Sequence, residues 1–366
     1  MRGPTAGERR TAQGRPISAL DAVSEPIDGV LDDFLGRRLA DLVELDPALE
    51  PVGRAVVDLV AAGGKRLRPA FVYWGHRATG AEHDDSVLGP AGAVELLHTF
   101  ALIHDDIMDR SPERRGHPAV HEALAAAHSS EGLAGDRSWF GVGGGILAGD
   151  LAFVWADQML DQAPLAPEAL DRARRVFTDL RVEVMAGQYL DLRLAGFPHA
   201  VEDDSRRVAL LKSGRYTVTR PLQLGAALGS SDRLLDAALA AYGDAVGLAF
   251  QWRDDVLGLF GDSAATGKGA VEDLREGKRT VLMLRALELA GDAEQAVLTR
   301  TLGDPDLDDV DADRARQIVV DSGALQAVER SLRTQQTLAE RALAPIAQPA
   351  RDALAELAEL AVSRND

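Results

Sequence analysis

Apolar residues recur at three- and four-residue intervals along most of the chain, the period of an amphipathic helix, while the strict alternation that marks a strand is scarce. The pattern predicts helices over 28–44, 50–62, 66–79, 87–109, 146–162, 167–195, 205–228 and 234–260, with further amphipathic helices through 280–365. Abundant alanine and leucine, with only 5% aromatic residues, suit helices better than strands, so the fold class is all-α. Residues 1–25 read as a disordered tail and 26–366 as a single domain, since no linker separates two cores. Loops are expected over 110–118, 129–145 and 261–279. The run Gly141-Val142-Gly143-Gly144-Gly145 reads as a flexible lid or a plain insertion.

Two of these helices close on paired carboxylates. On the wheel of 89–109, Glu95, His98, Asp105, Asp106 and Asp109 share a sector of roughly 100°. Asp105 and Asp109 are four residues apart, so their side chains meet and repel unless a cation lies between them. The helix 234–260 carries Asp244, Gly247, Leu248, Gln251, Asp254, Asp255 and Gly258 on one stripe, where the two glycines leave room for a ligand or a facing helix. Hard oxygen ligands of this kind favour Mg²⁺. Asp-Asp pairs also occur at 32–33, 84–85, 203–204 and 308–309, so the pair alone is weak. Position after a long buried-type run sets the two motifs apart.

Net charge is −18, which argues against nucleic acid as a partner, because phosphates need a basic surface. Against that acidic background, cations gather at Lys65-Arg66-Leu67-Arg68, at Arg114-Arg115, at Lys212 and over 268–279. Pro69 suits a first helical turn, where anions are welcome. The spacing of Gly261, Gly267 and Lys268 does not make a P-loop. Basic groups beside carboxylate clusters point to a diphosphate ligand held with metal. The chain has no cysteine, no apolar segment of signal-peptide type and no apolar run expected to span a membrane, so the expected compartment is the cytoplasm.

In chain order, GGKRLRP at 63–69, ELLH at 95–98, DDIMD at 105–109, RRG at 114–116, GQYLDL at 187–192, KS at 212–213, FQWRDD at 250–255 and GKR at 277–279 resemble the trans-isoprenyl diphosphate synthase (polyprenyl synthetase) family, of geranylgeranyl or farnesyl diphosphate synthase type. The resemblance implies antiparallel helices around a deep apolar cavity, usually in a homodimer. It implies Mg-dependent head-to-tail condensation of isopentenyl diphosphate with allylic diphosphates (dimethylallyl, geranyl, farnesyl). It assigns Lys65, Arg68, His98 and Arg115 to isopentenyl diphosphate, and Arg114, Lys212, Ser213, Gln251, Lys268 and Lys278 to the allylic diphosphate. Asp105, Asp109 and Asp254 become the main metal ligands and Asp106 and Asp255 assist, around three Mg²⁺ ions with diphosphate bound. Asp105, Asp109, Lys212 and Asp254 carry catalysis.

Three positions depart from the family pattern: Gly258 stands where many members have a third Asp, Ser213 where Thr is usual, and the stretch 129–145 is long. Phe100, with small Ala101 beside it, falls about one turn before Asp105, a rise of roughly 5.4 Å and close to one isoprene unit. In the family that pattern suggests a chain-length floor and a C20 product, with C15 or a longer chain as alternatives. Rival readings are a class I terpene cyclase, a non-catalytic subunit of a heteromeric synthase, and a helical scaffold. Both Asp motifs and the Lys65, Arg68 and His98 set speak for condensation.

Overall fold

The computed structural model describes residues 18–197, 199–261 and 272–362. Helix α1 (Ser18–Leu45) is followed by α2 (Glu50–Ala61), α3 (Leu67–Arg77) and α4 (Leu88–Met108). A hairpin of two two-residue strands, β1 (Glu113–Arg114) and β2 (His117–Pro118), leads to α5 (Val120–Ser130) and α6 (Arg137–Asp161). Then come α7 (Pro167–Ala195), α8 (Glu202–Val208), a π-helical segment (Ala209–Thr219), α9 (Arg220–Gly229) and α10 (Arg233–Phe260). Shorter helices fill 272–362, of which Ala324–Ala342 packs on α10. The all-α expectation holds. Buried apolar side chains from Ala19 to Val362 form one contiguous cluster.

Several expectations change. Residues 18–25 are helical, not tail: Leu20, Val23, Ile27 and Leu31 run at helical spacing through Pro26, and all are fully buried. The stretch 137–145 is helix, not loop. Asp136 caps α6 by accepting from the Ser138 and Trp139 amides at 2.9 and 3.2 Å. The glycines that suggested a lid form a smooth face there. A Cβ on Gly141 would meet Ala125 Cβ at 2.8 Å, and one on Gly145 would meet Ile107 Cδ1 at 2.9 Å. Small residues let α6 lie close against α4 and α5, which is a packing reason for glycine and not a hinge.

Asp85–Met108 and Arg137–Asp161 are each long and apolar enough to cross a membrane, at mean hydropathies of 1.4 and 1.3, so the expectation that no run reaches that length fails. Protein covers the first, which is 72% buried between α3, α6 and α1 and owes its composition to the core. The second is 39% buried. Trp139, Phe140, Ile146, Leu147 and Val154 of this helix are exposed, as are Val182, Met185, Tyr189 and Leu192 of α7.

Candidate active site

A cavity of about 660 Å³ opens between the start of α3, the middle of α4, the C-terminal half of α7, the π-helical segment, the end of α10 and residues 273–280. It gathers most of the residues singled out above. Lys65, Arg68, His98, Arg114, Arg115, Lys212, Ser213, Gln251, Asp254, Asp255, Gly258 and Lys278 all line it. Lys268 lies outside the described residues. Asp105 and Asp109 adjoin the cavity through its lysines: Lys212 Nζ is 3.4 Å from Asp105 Oδ1, and both Lys212 and Lys278 act on the Asp109 charge.

The backbone explains how these groups converge. Gly187 of α7 lies against the π-helical segment so closely that a Cβ there would stand 2.7 Å from Lys212 Cα. Gly214 meets Gly247 of α10 in the same way, with a Cβ at 3.2 Å from Gly247 Cα. Of the two readings for Gly247, the facing helix is the one realised. Two glycine contacts thus set Lys212 and Ser213 between α7 and α10. A π-helical turn widens the backbone there, and such turns often mark functional sites.

Charge is poised at two ends. At one end, Lys65 and Arg68 stand near His98, whose Nδ1 is 2.9 Å from the Tyr216 hydroxyl. Arg68 lies 4.4 Å over the Tyr216 ring and donates to Thr217 Oγ1 at 2.9 Å. Burial, with Arg68, Arg115 and Arg114 nearby, holds the His98 imidazole well below its ordinary pKa, so it is neutral at pH 7. Arg115 donates to Gly63 O and Arg114 Nε to Asp106 Oδ1 at 2.9 Å. Asp106 therefore serves Arg114, and neither it nor Phe100 or Ala101 lines the cavity. Phe100 packs edge-on to His104 at 4.7 Å and against Phe153 at 5.1 Å.

At the other end, carboxylates crowd two lysines. Lys212 Nζ donates to Asp191 Oδ2 at 2.6 Å, and Lys278 Nζ lies 3.0 Å from Asp273 and 2.5 Å from Glu276. Burial works against both ammonium groups, but the surrounding carboxylates outweigh it and raise their pKa values. Burial, then the Asp105 charge, pushes the Asp109 carboxyl up to about 6. Burial pushes Asp255 up to about 8, against the hydrogen bond it accepts from Gln251 Nε2 at 2.8 Å. Lys278 acts on both groups, so the two motifs face one neighbourhood.

Among the described residues, no three carboxylates or imidazoles converge tightly enough to ligate one ion by themselves. That suits Mg²⁺, which keeps several waters and is bound through one or two carboxylates plus substrate phosphates. Carboxylates whose pKa values are raised by burial and mutual repulsion are short of positive charge, and the donor set is hard oxygen. The residues fit the metal.

Sequence reading missed several lining groups. Asp191 lay in the GQYLDL run with no role given, although it takes the shortest bond to Lys212. Thr217 and Arg279 were also unassigned. The Nε atoms of Arg68 and Arg279, both cavity-lining residues, are buried with no hydrogen-bond partner among the described residues. No local signal marks Thr217; it reaches Arg68 only through the fold.

The polyprenyl synthetase family model matches residues 50–319. The chain is similar to the crystal structure of geranylgeranyl pyrophosphate synthase from Corynebacterium glutamicum complexed with isoprenyl diphosphate and magnesium, at 35% identity and a TM-score of 0.89, over 94% of this chain and 99% of that one. It is 32% identical to the geranylfarnesyl diphosphate synthase of Aeropyrum pernix over 299 residues, 81% of this chain and 87% of that protein. It is 36% identical to the geranylgeranyl diphosphate synthase of Methanosarcina mazei over 251 residues, 68% and 72% of the two chains. With the matched region spanning every motif around the cavity, this chain belongs to the polyprenyl synthetase family.

Proposed function

We propose that this protein is a prenyltransferase that joins isopentenyl diphosphate to an allylic diphosphate with Mg²⁺, giving geranylgeranyl diphosphate. The observation that supports the reading is one cavity lined both by Lys65, Arg68 and His98 and by Lys212, Gln251 and Lys278, cations enough for two diphosphates. A cyclase, with a single diphosphate substrate, has no use for the first set.

Lys65, Arg68 and neutral His98, with Arg115, hold isopentenyl diphosphate. Arg114, Lys212, Ser213, Gln251 and Lys278 hold the allylic diphosphate. Mg²⁺, held through Asp105, Asp109 and Asp254 with help from Asp255, supplies charge neutralisation for the departing diphosphate. Lys212 is engaged by Asp191 and Asp105. On binding, its ammonium turns to the diphosphate oxygen on which charge develops as the allylic C–O bond breaks. The isopentenyl double bond attacks the allylic carbon, and the proton lost afterwards goes to the released diphosphate. Phe250, Leu194 and Val208 give the cavity its apolar wall, which keeps water from the cationic carbon. Phe100 stands outside the lining of this cavity, braced by Phe153 and His104, and its role as the stop to chain growth at C20 rests on its place about one turn before Asp105.

We assign the exposed apolar face of α6 and α7 to contact with a second copy in a homodimer. Leu147 at 64% exposure and Tyr189 at 69% are out of place on a free surface. The function is tested by incubating the protein with Mg²⁺, labelled isopentenyl diphosphate and each short allylic primer. Elongated prenyl diphosphates ending mainly at C20 are expected. Hydrocarbon made from the allylic substrate alone would replace this reading with the cyclase.

A further inference from the structure

The basic turn 63–69 contains a cation that no part of the mechanism uses. Arg66 lies between Lys65 and Arg68, yet its guanidinium does not serve as a third phosphate donor. It is 6% exposed, and all three of its nitrogens are taken by protein. Nε donates to Asp28 Oδ1 of α1 at 2.7 Å, Nη1 to Glu95 Oε1 of α4 at 2.6 Å, and Nη2 to the Val60 carbonyl of α2 at 2.9 Å. One side chain thus ties together three helices that surround the turn.

Its backbone is equally specific. Arg66 has φ +50° and ψ +33°, a left-handed conformation that costs a branched or long residue free energy and persists only where its surroundings enforce it. This residue is the N-cap of α3, so its left-handed turn sets the direction in which Lys65 leaves the chain and α3, with Arg68, begins.

Glu95 is the second half of the argument. It is 4% exposed, borders the cavity, and sits one helical turn before His98. A carboxylate at that depth beside a diphosphate subsite would repel the substrate. Arg66 is the cation placed to cancel it, and burial makes the pairing strong because little water screens it.

We propose that Arg66 is a positioning residue for the isopentenyl diphosphate end of the cavity, holding the 63–69 turn and cancelling the Glu95 charge so that Lys65, Arg68 and His98 present an uncontested anion site. The proposal rests on the diphosphate assignment above. It explains why a third cation in the turn, although it borders the cavity, is spent on protein acceptors, and why an acidic residue is tolerated beside His98.

Steady-state kinetics of the full chain with Mg²⁺ test it, each substrate being varied in turn, for wild type, Arg66→Gln, Glu95→Gln and the double variant. Arg66→Gln is expected to raise KM for isopentenyl diphosphate at least about tenfold, the scale of one charge-assisted hydrogen bond. KM for the allylic primer and kcat at saturation should change far less. Adding Glu95→Gln to Arg66→Gln should recover much of the loss, because the unpaired carboxylate is gone. If Arg66→Gln does not fold, Arg66→Lys carries the test: it keeps the charge but cannot fork to three acceptors, and a smaller rise confined to isopentenyl diphosphate is expected. An unchanged KM, equal rises for both substrates, or no recovery in the double variant overturns the proposal. Absence of elongation by the wild type fails the functional reading instead, so the two outcomes are distinct.

Discussion

Removing the Lys212 ammonium separates catalysis from stability more cleanly than any other single change. Take Lys212→Gln, which keeps a polar head one bond closer to the backbone but deletes the charge. The ammonium sits 2.6 Å from Asp191 and 3.4 Å from Asp105, with 23% of the side chain exposed. Losing hydrogen bonds to charged partners costs about 1.5–3 kcal/mol, and relief from burying the ammonium offsets part of that. The fold should therefore lose only a few degrees in Tm. In the reaction, the same group meets charge that grows as diphosphate departs. Deleting one such donor lowers kcat by about 10²–10³-fold, some 2.7–4 kcal/mol. Rapid-quench single turnover with labelled isopentenyl diphosphate reads the chemical step, and circular dichroism melting reads the fold. A kcat within about threefold of wild type would refute the assignment, as would a rate loss matched by unfolding.

Three other outcomes follow from the same geometry. Phe100→Ala removes the ring that Phe153 and His104 brace, and chromatography should show products longer than C20; an unchanged profile removes the floor role. Asp109 and Asp255 have folded-state pKa values of about 6 and 8, raised above their ordinary value, so between that value and the raised ones the folded state binds more protons than the unfolded state. Above about pH 7, where the imidazoles held below their ordinary value no longer titrate, stability in chelator should then fall as pH rises toward 8, chiefly through Asp255, and Mg²⁺ with pyrophosphate should restore it; a Tm that rises over that upper window contradicts the charge assignment. Leu147→Glu on the outer face of α6 should turn a dimer into a monomer in size-exclusion chromatography with light scattering, while a native mass that does not change moves the interface elsewhere.

Much of the fold was legible because helical periodicity is local. The span Pro167–Ala195 and the buried character of α4 both follow from apolar spacing alone. What misled was glycine read as punctuation. Gly141 and Gly145 signal flexibility in a sequence, but in the fold they are contact points where α6 meets α5 and α4. The expected tail ran too far, since the apolar stripe of α1 begins before residue 26 and is buried on both sides of Pro26. In the site, the motif residues were readable as charged groups at helix ends. Their partners were not: Asp191 for Lys212, Thr217 for Arg68 and Asp106 for Arg114 are pairings between different elements that the fold brings together. Asp106 shows the limit best. Its place in an Asp-rich run suggested help with a metal, but nothing in that run shows that it is buried against Arg114.

The central claim is that the two Asp-bearing helices and their lysines grip one Mg²⁺-diphosphate from opposite sides. A crystal structure of the protein soaked with Mg²⁺ and an unreactive thio-analogue of the allylic diphosphate tests it directly. The account predicts a single diphosphate bridged by metal ions to Asp105 and Asp109 on one side and Asp254 on the other, with Lys212 released from Asp191 to a phosphate oxygen. A diphosphate bound at only one of the two motifs, with Lys212 still on Asp191, would contradict it.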